Sequence, residues 1–315
     1  MRRILLLNAR RRVFLIKEIR KYIKNEHEDL EIAGADTDNL DPIAFFCDIF
    51  RIIPPIYSTE FKSELLKYVE EENIIGIVLW NDIDFKYIDE IREELYEKGA
   101  NIICPNKKQI KLCNDKRETY YFAKKNNILV PKNYQTINDI IQYPIIIKPA
   151  FGAGSVNVYC AKNENQTKIL SNHVKEPVFQ EFIDGTHYTV DIFSDESGNP
   201  FCAVPRQRIK VHCSEVLIAK ISMEKKIIQH ALTIAKIIKI AGPINIQFIV
   251  DKYEKIYLLE INCRIGGGTD LTIQAGAPIG KWIVQMLLKK KLEKNYSICN
   301  KLYMSRYYSE VFFQC

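Results

Sequence analysis

Between residues 257 and 264 the chain reads Tyr-Leu-Leu-Glu-Ile-Asn-Cys-Arg, and Gly266, Gly267 and Gly268 follow. The pattern is a β-strand running into a glycine-rich turn. Side chains on a strand alternate faces, so Leu258, Glu260, Asn262 and Arg264 are expected on one face and Leu259, Ile261 and Cys263 on the other. The second face is apolar and belongs against a core. The first carries an acid, an amide and a guanidinium in a row. A carboxylate taken out of water without a partner is costly, so the row needs a reason. A magnesium ion bound to phosphates supplies one, because it takes hard oxygen ligands at about 2.1 Å. Glu260 and Asn262 offer such oxygens, and the planar fork of Arg264 can clamp a phosphoryl oxygen. The plainer alternative is a solvated strand face with scattered polar groups.

The preceding strand, residues 243–250, places Asn245 and Gln247 on one face and Ile244, Ile246, Phe248 and Val250 on the other. The polar stretch 251–255 reads as a turn, so the two strands are expected to form a hairpin. A two-residue loop at Tyr253-Glu254, or a four-residue loop from Lys252 to Lys255, places Gln247 opposite Glu260 and Asn245 opposite Asn262. An odd loop is expected to break this pairing, because a one-residue slip moves every side chain to the other face.

Further upstream, Lys148 lies on a strand over Ile145 to Ile147, immediately before Gly152-Ala153-Gly154-Ser155. Exposed N–H groups of such a loop can cap phosphates, and a lysine beside it acts as a fixed point charge. The G-K-[ST] ending of a P-loop is missing. Gln180 and Glu181 sit inside another short strand, 178–183. Arg206, Arg208 and Lys210 are two apart on a strand over 201–211, a stripe able to meet a carboxylate or phosphate; an exposed strand face reads equally well. Arg10, Arg11 and Arg12 follow the first strand. They either face an anionic substrate across a cleft or form a solvated basic turn, the second being favoured.

The elements that must position these residues divide the chain in three. Over 1–112, short apolar strands (4–7, 30–33, 74–80, 102–104) alternate with helical spacings (13–23, 61–72, 87–98), which indicates a parallel sheet covered on both faces. No G-x-G-x-x-G follows the first strand, which disfavours a dinucleotide site. A second unit, 113–184, opens with Asn114-Asp115-Lys116 ahead of a helix over 117–126. The third, 185–315, contains a strand from His187, a helix over 225–240, the hairpin, a late helix over 282–288 and a last strand near Met304. Fold class is therefore α/β followed by α+β.

The 315 residues are 47% apolar and 27% charged, with a formal net charge of +6. That mild excess suits a polyanionic small molecule. No long Lys/Arg tract and no aromatic-basic stripe speaks for nucleic acid. Nine cysteines without a C-x-x-C pair disfavour a zinc site and indicate reduced thiols in a cytoplasmic protein. No apolar run reaches 18 residues, so neither a membrane span nor, with Arg10 to Arg12 so close behind Leu7, a signal peptide is expected.

Taken in order, Asn114-Asp115-Lys116, Lys148-Pro149 before the Gly/Ser loop, Gln180-Glu181-Phe182-Ile183-Asp184-Gly185, and Gln247 before Glu260-x-Asn262-x-Arg264 resemble the ATP-grasp superfamily. The resemblance is strongest to the branch holding the carbamoyl-phosphate synthase large chain and biotin carboxylase. It covers about 115–290, with 1–112 similar to the α/β domain that precedes such units. It implies that Lys116 and Lys148 hold the α- and β-phosphates of ATP and that Gly152, Gly154 and Ser155 form the lid. Gln180, Glu181, Phe182 and Ile183 would border the adenine pocket. His187 stands where many members have a ribose-binding Glu. Gln247, Glu260 and Asn262 would bind two Mg²⁺ (Mn²⁺ being an alternative ion), with Glu260 bridging and Arg264 on the phosphoryl group in flight. The implied activity is a ligase that activates a small carboxylate as an acyl phosphate for attack by an amine, with Arg206 and Arg208 gripping the acid. A carbamoyl-phosphate-synthase-like subunit and a non-catalytic ATP-binding regulator are the alternatives, and a homodimer is one option for assembly.

Overall fold

The apolar runs near the N-terminus assemble into a sheet buried on both faces. In the computed structural model, which describes residues 1–152, 154, 156–212 and 215–313, this sheet is parallel. Its strands are β1 (Arg2–Leu7), β2 (Leu30–Asp36), β3 (Ile49–Ile52), β4 (Ile74–Leu79) and β5 (Asn101–Ile102), in the order β3-β2-β1-β4-β5. Along β1, Leu5 and Leu7 join the cluster that holds Leu65 and Val69 of helix Phe61–Glu71. Ile4 and Leu6 join the one holding Ile16 and Ile19 of helix Val13–Asn25. Apolar residues at every position of a strand are what burial on two faces demands. Trp282 and Ile283 of helix Ile279–Leu287 lie in the second cluster too, so the end of the chain shares a core with its beginning.

A small antiparallel sheet follows: β6 (Asn133–Tyr134), β7 (Ile145–Pro149), β8 (Tyr159–Ala161) and β9 (Pro177–Glu181), ordered β6-β9-β7-β8. Tyr134, Ile145, Ile147 and Phe179 make its core. The third sheet is antiparallel and six-stranded. It contains β10 (Gly185–Ser194), β11 (Pro200–His212), β12 (Glu215–Ile221), β13 (Gly242–Asp251), β14 (Ile256–Asn262) and β15 (Tyr303–Ser305), ordered β14-β13-β10-β11-β12-β15. Val190, Ile192, Ile246, Phe248 and Ile261 on one face cluster with Ile227, Ala231 and Ile234 of helix Lys225–Ile238.

The hairpin departs from expectation in an instructive way. Val250 pairs with Ile256, and the Asp251 amide donates to the Lys255 carbonyl at 3.1 Å, so the connection is the odd, three-residue loop 252–254. Glu254 takes the left-handed conformation there, at φ 60°. The slip this loop introduces is cancelled by a β-bulge. Phe248 pairs with Leu258 but Gln247 pairs with Glu260, which leaves Leu259 as the extra residue. Leu258 consequently lies in the core with Ile261 and Cys263, and Leu259 turns to the polar face, the reverse of the simple alternation. Gln247 opposite Glu260 and Asn245 opposite Asn262 nonetheless form as the sequence indicates.

Other differences are local. The helical pattern over 87–98 belongs to two helices, Asp82–Glu90 and Arg92–Glu97, separated at Ile91. Helix Lys107–Asn114, not anticipated from the sequence, starts at a reciprocal capping box between Asn106 and Gln109. Among the described residues no helix is long and apolar enough to cross a membrane.

Candidate active site

The polar face of the six-stranded sheet is built across four strands. Thr189 on β10 pairs with both Gln247 on β13 and Arg206 on β11, so Glu260, Gln247, Thr189 and Arg206 form one row. Asn262, Asn245 and Asp191 form the next. Alternation puts the apolar neighbours of these residues in the core and leaves the polar ones on the opposite face of the sheet. Between this sheet and the small one lies a cavity of about 230 Å³. Lys148, Gln180 and Phe182 line it from one side, and His187, Gln247, Leu259 and Glu260 from the other. A second cavity of about 340 Å³, lined by Arg12, Asn262, Arg264 and Gly266 to Gly268 among others, shares Arg208, Gln247 and Glu260 with the first. Glu260 and Gln247 therefore stand at the junction of an apolar-walled slot and an arginine-rich chamber.

Each lysine is held by a neutral oxygen. Lys148, 8% exposed, donates from Nζ to Gln180 Oε1 at 2.7 Å, and Gln180 Nε2 donates to Asn133 Oδ1 at 2.9 Å. Burial pushes the Lys148 ammonium down to about 8; Glu260 works against that, and Lys116 adds to it. Lys116 opens helix Lys116–Lys125, which Asp115 caps by accepting from the Arg117 amide. Its Nζ donates to the Gly152 carbonyl at 2.8 Å, and burial lowers it as well, with Glu260 opposing. Burial, and then Arg208, lowers His187, which favours the neutral imidazole. The Glu181 carboxylate accepts from the Lys132 amide at 3.1 Å, and Glu181 lines the slot. Gly152, Gly154 and Ile183 border the slot; Ser155 lies outside the described residues.

Glu260 makes no hydrogen bond with any described residue, yet it acts on three cations: Lys116, Lys148 and Arg208. Arg208 donates to Gln247 Oε1 at 3.2 Å, while its Nε is buried without a partner. Asn262 Nδ2 donates to Asn245 Oδ1 at 3.2 Å, and Asn245 Nδ2 donates to the Arg264 carbonyl at 3.0 Å. With its amide nitrogen spent on Asn245, Asn262 keeps its oxygen for other partners.

Two of the arginines are already engaged. Arg206 is 1% exposed and makes a two-point ion pair with Asp191, at 2.7 and 3.0 Å. Thr269 and Thr272 complete the shell of Asp191. The expectation that Arg206 grips substrate thus meets a guanidinium tied into the sheet, because a buried acid one row away claims it. Arg264 donates from Nε to Asp82 Oδ2 at 2.6 Å and from Nη1 to the Ile265 carbonyl at 3.2 Å. Asp82 begins the helix after β4, so this pair links the first sheet to the third. Nothing in the local sequence marks Asp82 or Asp191 as partners, since each lies far along the chain or on another strand.

Among the described residues no group of three His, Cys, Asp or Glu side chains is placed to hold a metal by itself. The oxygen set is one carboxylate, Glu260, with the amide oxygens of Gln247 and Asn262. Such a set fits Mg²⁺, which is bound by one or two carboxylates when phosphates supply further oxygens. The buried, unpartnered Arg208 Nε and the cluster of cations around one acid fit those phosphates.

Residues 4–103 match a model described as PylC-like, N-terminal domain, and residues 113–268 match the ATP-grasp domain. The carbamoyl phosphate synthase large chain of Clostridium acetobutylicum is 23% identical over 277 residues, covering 78% of this chain but 26% of that protein. The chain thus spans about a quarter of the length of that relative. Among solved structures, the biotin carboxylase domain of Hydrogenobacter thermophilus 2-oxoglutarate carboxylase superposes with a TM-score of 0.75 at 17% identity, covering 95% of this chain and 73% of that one. That structure is a dimer in complex with MgADP, ADP and bicarbonate. An L-amino acid ligase from Bacillus licheniformis gives a TM-score of 0.70 at 15% identity, over 92% and 74% of the two chains. At these identities the superpositions speak for the fold. The chain belongs to the ATP-grasp superfamily, its ATP-grasp domain over residues 113–268 following a PylC-like N-terminal domain.

Proposed function

We propose that the protein is an ATP-dependent ligase joining a small carboxylate to an amine, with release of ADP and phosphate. The observation that supports this most is the placement of Glu260 and Gln247 where the two cavities meet. A protein that only stored nucleotide would need the slot; the chamber beyond it, with Arg208 and Arg264 on its walls, is room for a second molecule.

In this reading the slot takes ATP. Phe182, Ile183 and Leu259 enclose the base, His187 lies near the sugar, and Lys116 and Lys148 meet the α- and β-phosphates under the loop of Gly152 and Gly154. Gln247, Glu260 and Asn262 would hold two Mg²⁺, or Mn²⁺. The nucleotide, when bound, would supply a phosphoryl group that makes a carboxylate a competent acyl donor, which its own oxide leaving group does not allow, and the ions would neutralise its charge. The protein's part is alignment and charge neutralisation. Arg208, which borders both cavities, orients the acid. Arg264, steadied by Asp82, faces the negative charge that develops on the transferring group. Arg206 supports rather than grips: locked to Asp191, it fixes the floor on which Thr189 and Gln247 sit.

The test is an acid panel incubated with ATP, Mg²⁺ and hydroxylamine, scored for hydroxamate and phosphate. Hydroxamate with stoichiometric phosphate is expected for at least one acid. Glu260→Ala is expected to abolish it while leaving the circular dichroism spectrum intact; wild-type turnover in that variant would remove Glu260 from the metal site.

A further inference from the structure

The chamber beyond Glu260 has four guanidinium groups on its wall, and two of them lack an acidic partner. Arg206 is neutralised by Asp191 and Arg264 by Asp82. Arg208 donates only to the uncharged Gln247. Arg12, from the turn after β1, makes no hydrogen bond or ion pair through its guanidinium with any described residue. Its position is nevertheless fixed. The guanidinium carbon sits 5.8 Å from the centroid of the Trp80 ring, and a Cβ added to Gly267 would come within 3.1 Å of Nη1. Nearby acids do not cancel it: Asp270 is paired with Arg306 at 3.2 Å, and Glu215 with Arg11 at 2.8 Å.

The two unmatched guanidiniums serve different ends of the chamber. Arg208 also borders the nucleotide slot and interacts with Glu260. Arg12 borders the chamber but not the slot, and its charged neighbours are Arg264, Asp270, Glu215 and Arg306. A largely enclosed cation without a counter-charge is unfavourable. A rigid fork aimed into a cavity recognises a carboxylate in two-point fashion.

We infer that Arg12 is a specificity-determining residue that receives a second carboxylate, so that the ligands of this chamber together carry two: one beside Arg208 and Glu260, the other on Arg12. The second carboxylate belongs either to a dicarboxylic donor acid or to an amino acid serving as the amine. Which carboxylate reacts rests on the ligase reading; the recognition itself does not.

The experiment is calorimetric titration of the MgADP-saturated protein with pairs that differ by one carboxylate: glutarate against butanoate, L-glutamate against 4-aminobutanoate, L-alanine against ethylamine. For at least one pair the carboxylate-bearing member is expected to bind tenfold or more tightly. In Arg12→Ala that preference is expected to fall below threefold, with MgADP affinity within twofold of wild type; Arg12→Lys should recover part of it. The assignment is overturned if no pair shows a preference or if Arg12→Ala keeps it. A hydroxylamine assay separates the sources. A raised KM for the acid in Arg12→Ala assigns the group to the donor, and an effect seen only with an amino acid acceptor assigns it to the amine. Loss of preference with no ADP formed in any mixture would keep Arg12 in its role and sink the ligase reading; ADP formation indifferent to Arg12 would do the opposite.

Discussion

Lys148 shows how one residue can be poised chiefly by burial. Its ordinary value is 10.5, and enclosure on β7 pushes it down to about 8 against the pull of Glu260. In the unliganded protein the folded value is therefore below the unfolded one. Between about pH 8 and 10.5 the unfolded chain binds more protons, so this group makes stability rise with pH across that window. Nucleotide binding runs the other way. Phosphate needs the charged ammonium, so MgADP affinity should be level below pH 8 and weaken above it, by up to tenfold per pH unit. Titration calorimetry from pH 7 to 9.5 checks this; a flat profile would take Lys148 out of the phosphate site. Lys148→Ala should weaken MgADP by about 10- to 100-fold, the worth of a charge-assisted hydrogen bond.

At the scale of elements, the hairpin and the glycine turn decide the site. Leu259 is the residue that reconciles an odd loop with a register suited to pairing Gln247 with Glu260. Deleting it leaves Phe248 opposite Leu258 and Gln247 opposite Glu260 in a regular ladder. The deletion variant is therefore expected to fold and to keep Mg²⁺-dependent ADP binding, weakened by loss of a slot contact. Deleting Ile261 instead would drive Asn262 into the core and abolish cooperative unfolding; thermal melts of the pair distinguish the cases. The turn is constrained differently. A Cβ on Gly268 would lie 2.4 Å from Arg206 Nη1, and Arg206 cannot retreat because Asp191 holds it at two points. Gly268→Ala is expected to cost about 1–3 kcal/mol by overpacking, read as a lowered midpoint of chemical denaturation. A midpoint unchanged from wild type would show that the turn has slack.

For the whole molecule, the question is what joins the first sheet to the third. Helix Ile279–Leu287 packs into the core of the parallel sheet, and Arg264 with Asp82 makes a polar link at 2.6 Å beside the chamber. Asp82 Oδ1 is buried without a partner, so the carboxylate is placed for Arg264 at some cost. Asp82→Ala should release Arg264 and lower kcat about tenfold or more while leaving the Kd for MgADP within twofold. Equal losses in both would make the link a general support and not a means of aiming Arg264.

Much of this was legible in the amino-acid order because it depends on short-range periodicity. Unbroken apolar runs marked strands buried on both faces, and alternating polar residues put Asn245, Gln247, Glu260 and Asn262 on one side of a hairpin. Alternation holds only while a ladder is regular, so the bulge at Leu259, set by a loop several residues away, escaped it. Strand order escaped it as well. Residues 191 and 206 become partners only when β10 and β11 lie side by side, and that pairing takes Arg206 from the list of free cations. Arg12 was ambiguous for the same reason. A basic turn is solvated or functional according to what stands across from it, and Gly267, Trp80 and the chamber wall are brought there by long-range packing of the two sheets.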